Sequence, residues 1–205
     1  MKKILYSVAL AACCMGTMTS CSDFLDASNK SNVTAKQSFA TKEGLNNLVN
    51  NAYQHLQNVY AAPLFTSCFS AGTDMYADAR NKMNEALNTY ETLTPENTDI
   101  KNLYTYLYSG IRAANSVSYY AQTAQVDEKT KGQLVGEARV LAAYEYYLLV
   151  NNFGGVPIMK DFLTTADTGY PKSSAADVYA YIISELEDVI SKNVLQASTA
   201  TKGGG

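Results

Sequence analysis

Residues 136–157 read GEARVLAAYEYYLLVNNFGGVP. Upstream of Phe153, the apolar residues Leu134, Ala138, Leu141, Ala142, Leu148 and Leu149 recur at helical intervals, which marks one face of a helix. Asp127 stands where an N-cap is needed. The other end is Asn151-Asn152-Phe153-Gly154-Gly155-Val156-Pro157. A glycine directly after the last periodic residue, with a proline shortly beyond it, is a strong stop. The reading is a long helix that begins near 127 and ends near 153, then a brief extended stretch from Val156 to Leu163.

The same period recurs on both sides. Ile100, Leu103, Tyr104, Leu107, Tyr108, Ile111 and Ala114 predict a helix over 98–123, capped by Asn97 or Thr98. Leu45, Leu48, Val49, Ala52, Tyr53 and Leu56 predict an earlier one, with Thr41 as N-cap. Downstream, Ser174 and Asp177 form a capping-box pattern ahead of Tyr179, Ile182, Ile183, Leu186, Val189 and Ile190. Residues 60–97 lose the period and hold Pro63, Gly72 and Pro95, so a long loop with a short helix near 80–88 is expected. Residues 164–172 form a polar loop with Gly169 and Pro171. The expected fold is all-α: antiparallel helix pairs of α-solenoid type, with one long loop. No strict tetratricopeptide period is visible in the pattern alone.

Composition narrows the function. The chain has 205 residues, enough for one ordinary domain. Hydrophobic residues are 47%, so a packed core can form. Charged residues are 17%, against roughly 25% in an average soluble domain, which speaks against long charge-driven disorder. Net charge is -3, so no basic surface recommends nucleic acid as a partner. There are 16 Tyr, 6 Phe and no Trp. Tyrosine couples an apolar ring to a polar tip, which suits half-buried helix faces and wet binding surfaces alike.

The first twenty residues read as an address. Lys2 and Lys3 precede an uncharged run from Ile4 to Ser20, short for a bilayer span of about 20 residues. Thr19 and Ser20 before Cys21 resemble a lipoprotein signal box, in which the cysteine is acylated and becomes the first mature residue. A plain secretory signal cut elsewhere, or an N-terminal anchor helix, are the alternatives. On the lipoprotein reading, residues 1–20 are signal and Cys21 is the lipidation site. Residues 21–40 are then a tether and extended lead-in, 41–196 the helical domain, and 197–205 a polar glycine-rich tail. Cys13 and Cys14 leave with the signal, and Cys68 remains as a lone thiol without a disulfide framework. Acidic residues close behind the anchor, in Cys21-Ser22-Asp23-Phe24-Leu25-Asp26, resemble a surface-export signal of outer-membrane lipoproteins.

Four stretches, in order, resemble the SusD/RagB family of outer-membrane nutrient-binding lipoproteins. They are Cys21 to Asp26, Ile111-Arg112-Ala113-Ala114-Asn115, the 136–157 stretch, and Pro171 to Tyr179 with Ile182-Ile183-Ser184-Glu185-Leu186. The family often has Phe and Arg where Val140 and Ala142 stand, Arg at Lys172, Asp at Glu185, and a Trp near Leu103. The resemblance implies a tetratricopeptide-like helical fold. It also implies capture of an oligosaccharide or other nutrient at the cell surface, delivery to a SusC-like TonB-dependent transporter, and an outer-membrane lipid anchor. It implies no enzyme activity and no cofactor. Family members are more than twice this length, so the sequence is expected to be the N-terminal part of such a protein. A second reading is a truncated interaction lipoprotein that contacts the transporter without binding ligand. Helices built to pack on a further region would expose apolar surface, so the chain alone is expected to aggregate.

Catalytic candidates are sparse. His55 is a lone histidine on the polar edge of the first helix, with no triad or metal set to use it. Glu137 and Glu145 share the third long helix, where acidic residues ordinarily form a solvated face, and no spacing selects a glycosidase pair. Glu137 and Arg139 are expected to make structural or interhelix pairs. Gly154-Gly155 is followed by Val-Pro and not by the Lys-Ser/Thr of a phosphate loop. The cluster Tyr144, Tyr146 and Tyr147 is read as core. The long loop offers Phe65, Phe69, Asp74, Tyr76, Arg80, Asn81 and Tyr90. In the resembled family this loop region supplies part of the glycan site. Asp74, Tyr76 and Arg80 are therefore expected to contact ligand, with Tyr90 as a stacking platform. The competing reading is that these aromatics only pin the loop to the helices.

Overall fold

The computed structural model describes residues 35–61, 63–76, 85–163 and 169–195. Cys21, Arg80, Asn81, the signal, most of the lead-in and the tail lie outside the described residues. The elements are α1 (Ala35–Ser38), α2 (Lys42–Tyr60), a π-helical turn (Thr66–Ser70), α3 (Glu85–Thr89), α4 (Thr98–Ala121), α5 (Glu128–Phe153) and α6 (Ala175–Lys192). No strand occurs among the described residues.

Each long helix starts where its sequence supplies an acceptor for orphan N–H groups. The Thr41 hydroxyl accepts from Gly44 N–H at 3.1 Å. The Asn97 side chain accepts from Asp99 and Ile100 at 3.0 and 3.1 Å. Asp127 accepts from Thr130 at 2.9 Å. Ser174 and Asp177 close a reciprocal capping box. Two differences from the sequence reading are local. Residues 35–38 form a helical turn instead of extended lead-in, and the short loop helix sits at Glu85–Thr89.

Side-chain contacts fix the directions. Going up α4, Tyr104 meets Phe153, Tyr108 meets Tyr146, and Gly110 meets Glu145, so α4 and α5 are antiparallel. Tyr53 donates to Glu137 at 2.7 Å, and the hydroxyls of Tyr60 and Tyr144 hydrogen-bond each other. Both pairs are separated by 84 residues, so α2 and α5 run parallel in one register. Arg139 reaches Glu185 and Asp188 while Tyr179 reaches Asn151, so α6 is antiparallel to α5. Two antiparallel pairs, α2/α4 and α5/α6, thus stack with their first helices parallel. This is the tetratricopeptide-like arrangement.

Helix α5 is central and packs on α2, α4 and α6. Its burial is therefore broader than one stripe. One core cluster joins Leu45, Leu48 and Ala52 of α2 to Ala114 and Val117 of α4 and Ala138 and Leu141 of α5. A second joins Val59, Leu103, Leu107 and Ile111 to Tyr146, Leu149, Val156 and Val178. Arg139 is the main polar link to α6. It donates to Glu185 at 2.7 Å and to Asp188, and the Glu185 bond foremost raises its pKa. The expected interhelix role of Arg139 is what the structure shows.

After α5 the chain turns back as a strap. Gly154 has φ 68°, in the region open to glycine, and its N–H closes onto Val150 O at 3.0 Å. A Cβ on Gly155 would lie 2.2 Å from the Ser173 carbonyl oxygen, so only glycine fits that approach. The strap is then held from three sides. Tyr108 Oη donates to Pro157 O at 2.7 Å, and Asn115 Nδ2 donates to Met159 O at 2.8 Å. Tyr146 Oη accepts from Met159 N at 2.7 Å and lies 3.3 Å from Met159 O. Ser173 N–H donates to Val156 O at 3.2 Å and leads into α6.

Glu145 departs from the expected solvated face. Its relative exposure is 0%. The carboxyl lies against Gly110, where a Cβ would stand 1.7 Å from Oε1. Neither oxygen has a hydrogen-bond partner among the described residues. Burial pushes its pKa up to about 9, so it is a neutral acid at pH 7. Residues spaced around a central helix meet other helices on most sides, which the carboxylate's average preference does not anticipate.

Two stability tests follow from these contacts. A carboxyl whose folded pKa lies above its unfolded value favours folding below the unfolded pKa and loses that contribution as pH rises towards 9. Glu145→Gln cannot ionise, so its stability relative to wild type should rise by roughly 4 kcal/mol between pH 5 and pH 8. Denaturant melts across that range measure it, and a pH-independent difference would refute the buried neutral acid. Tyr146→Phe should cost about 1–3 kcal/mol and speed amide exchange at Met159. Unchanged exchange there would show that the hydroxyl does not hold the strap.

Candidate functional site

The long loop folds back on itself. The π-helical turn places Phe65 and Phe69 beside Tyr60 of α2, with ring centroids 5.4 and 6.5 Å from Tyr60. Phe65 and Phe69 are 5.3 Å apart. The strip continues across the paired hydroxyls of Tyr60 and Tyr144 to Tyr147, whose ring is stacked 6.2 Å from Tyr144. The sequence reading assigned Tyr144, Tyr146 and Tyr147 together to the core. Tyr146 is fully buried, whereas Tyr144 and Tyr147 are 39% and 47% exposed. Alternation around α5 turns these two outward, next to α2.

Asp74 is exposed on the turn that follows Ser70. The Thr73 hydroxyl donates to Ser70 O at 2.7 Å and tightens that turn. Tyr76 is half-buried, and its N–H reaches Thr73 O at 3.4 Å. Tyr90 follows α3 with φ 61°, an uncommon conformation outside glycine. That backbone sends its hydroxyl back to Gly72, where an added Cβ would lie 2.1 Å from it. Asn88 Oδ1 accepts from Gly72 N at 3.4 Å. Tyr90 is therefore brought to the turn two residues before Asp74, yet stays 58% exposed. It both braces the loop and presents ring surface. Arg80 belongs to the segment outside the described residues.

A second surface escaped the sequence reading. Tyr104, Tyr108 and Arg112 succeed one another at intervals of four along α4, so they share one face. The strap residues Pro157 and Met159, together with Tyr170, form the facing wall of a shallow groove of about 470 Å³. Tyr104 packs on Tyr108 at 4.7 Å and edge-on to Phe153 at 5.2 Å. Tyr104 and Tyr108 were legible only as members of the apolar face. Their i, i+4, i+8 spacing with Arg112 was the available signal, but the strap opposite them could not be placed from sequence.

Reactive candidates find no machinery. His55 is half-buried, and burial lowers its pKa. Its Nδ1 has no partner among the described residues. Cys68 is pushed up to about 11 by burial and then by Asp99, so it is a thiol and a poor nucleophile at neutral pH. Glu137 is occupied by Tyr53, whose hydroxyl rises to about 12 through burial and that bond. Among the described residues no group of three or more His, Cys, Asp or Glu could hold a metal. No described helix is long and apolar enough to cross a membrane. The arrangement offers aromatic faces beside polar groups, which is the equipment of recognition.

Comparison with known proteins supplies the relationship. Residues 23–199 match the SusD-like family described as starch-binding and associating with the outer membrane. SusD-like protein P38 of Formosa agariphila is 28% identical over 190 residues, covering 90% of this chain and 36% of that protein. Surface glycan-binding protein A of Bacteroides uniformis superposes with a TM-score of 0.66 at 26% identity, over 79% of this chain and 37% of that one. A laminarin-binding SusD-like protein superposes at 0.62 with 20% identity, over 72% and 33%. The chain thus spans about a third of the length of these relatives. With the family matched over most of the sequence and the stacked helix pairs in place, the chain belongs to the SusD-like family.

Proposed function

We propose that this chain is part of a cell-surface lipoprotein that binds an oligosaccharide and delivers it to a SusC-like TonB-dependent transporter in the outer membrane. Membership in a family described as starch-binding and outer-membrane associated carries the reading. The exposed rings of Tyr60, Tyr90, Tyr144 and Tyr147 are consistent with it. Sugars present CH faces that stack on aromatic rings and hydroxyls that pair with planar polar groups. Asp74, Tyr76, Arg80 and Tyr90 are the contacts proposed for the loop. Cys21 is the proposed lipid anchor, holding the protein at the outer membrane. Capture needs no bond cleavage, so no cofactor enters.

A second reading keeps the transporter contact and drops the ligand. It is favoured by Tyr90, whose hydroxyl is spent on bracing the Gly72 turn. The two readings separate on binding. In native gels cast with starch, laminarin and other soluble glycans, the full chain should be retarded by at least one polysaccharide. Tyr90→Ala and Asp74→Asn should each weaken that retardation about tenfold or more, and Asp74→Asn, at an exposed side chain, should do so with unchanged melting temperature. Co-purification with a barrel transporter but no retardation by any glycan would overturn capture and leave the interaction role.

A further inference from the structure

We propose that the groove beside Arg112 is a subsite for a uronic acid unit of an acidic oligosaccharide. The Arg112 guanidinium holds the uronate carboxylate, and the Tyr104 ring carries the CH face of a neighbouring unit. This deepens the glycan-binding reading and rests on it.

Arg112 is exposed and forms no ion pair among the described residues. Its guanidinium carbon lies over the Phe162 ring, 5.7 Å from the centroid. A ring positions the cation but offers no conventional acceptor, so the planar fork of N–H donors stays available. Arg139 is the internal contrast, since Glu185 and Asp188 take up its donors. A guanidinium with open donors at the rim of a groove matches a carboxylate in charge and in bidentate geometry. The chain as a whole is acidic, at -3, so an anion gains attraction from a local cation and not from the overall field.

The groove supplies the rest. Its volume of about 470 Å³ falls within the roughly 300–1,000 Å³ typical of small-ligand sites. Tyr104 is 37% exposed on one wall. The opposite wall is the strap, fixed by the Tyr108 bond to Pro157 O and the Asn115 bond to Met159 O. A wall held in place before the ligand arrives adds little ordering cost on binding. Eight residues at a rise of 1.5 Å put Tyr104 about 12 Å along α4 from Arg112, farther than one sugar ring reaches, so an acidic chain would lay one unit on the ring and bring a neighbouring unit's carboxylate to the cation.

The test uses matched pairs: oligogalacturonides and oligomannuronates, each beside its carboxyl-reduced counterpart, titrated into the full chain. In at least one pair the acidic member should bind about tenfold more tightly than the reduced one, and added salt should shrink the gap. Arg112→Gln should remove the gap by weakening binding of the acidic member about tenfold. Arg112→Lys should restore part of it, and Lys129→Gln, at an exposed lysine on α5, should leave it intact. Equal melting temperatures exclude misfolding as the cause. Equal affinities within every pair, or a gap that survives Arg112→Gln, would overturn the subsite. Binding of neutral glycans alone would overturn the subsite and leave the glycan reading standing. Binding of no glycan at all would overturn both.

Discussion

The strap from Gly154 to Met159 is the constraint on which the rest depends. Three side chains from two helices seize its backbone: Tyr108 and Asn115 from α4, and Tyr146 from α5. Backbone groups outside regular structure must find partners when buried, and here side chains provide them. The consequence is geometric. The chain leaves α5 in a fixed direction, Val156 buries in the core, and Ser173 meets the Val156 carbonyl before α6 begins. The second helix pair therefore docks at a set angle on the first. The same strap is one wall of the Arg112 groove, so folding and recognition share one piece of backbone.

Helix α5 converts that constraint into a stack. It runs parallel to α2 and antiparallel to α4 and α6, which leaves little of it free. Small residues allow the close approach: Gly110, Ala113 and Ala114 on α4 face a helix that carries Ala138, Ala142 and Ala143. Into this tight seam the sequence places Glu145, kept neutral by burial and accommodated because Gly110 has no side chain. A buried carboxyl without partners is a cost against stability. The salt link from Arg139 to Glu185 and Asp188 lies near the surface, and its role is to set the α5–α6 register more than to add stability.

Much of the helical layout was legible in the sequence, because caps and periodicity are local. Thr41, Asn97, Asp127 and the Ser174–Asp177 pair all cap as their chemistry dictates, and the Gly154-Gly155-Val156-Pro157 stop falls where expected. What stayed hidden depends on partners distant in the chain. Glu145 looked solvent-facing until α4 was placed against it. Tyr144 and Tyr147 looked like core until the side of α5 next to α2 was known. Tyr104 and Tyr108 gained a groove only from residues 157–170. Among the loop candidates, Tyr90 braces the Gly72 turn and keeps ring surface exposed, a double role that depends on a φ of 61° and that local patterning does not reveal.

The surfaces with exposed rings and open donors are separate: the loop with Asp74 and Tyr90, the strip from Phe65 to Tyr147, and the groove along α4. On the proposed glycan reading an extended chain lies over some of them, while the outer face of α6, with Ile183 and Ile190, lies elsewhere. Hydrogen exchange of the full chain, with and without a glycan that retards it in native gels, tests this account most directly. Slower exchange is expected in the segments around Gly72–Tyr76 and Glu85–Tyr90, or around Tyr104–Arg112 and Pro157–Met159, with α6 unchanged. Protection confined to α6, or no protection at either set of segments, would contradict it.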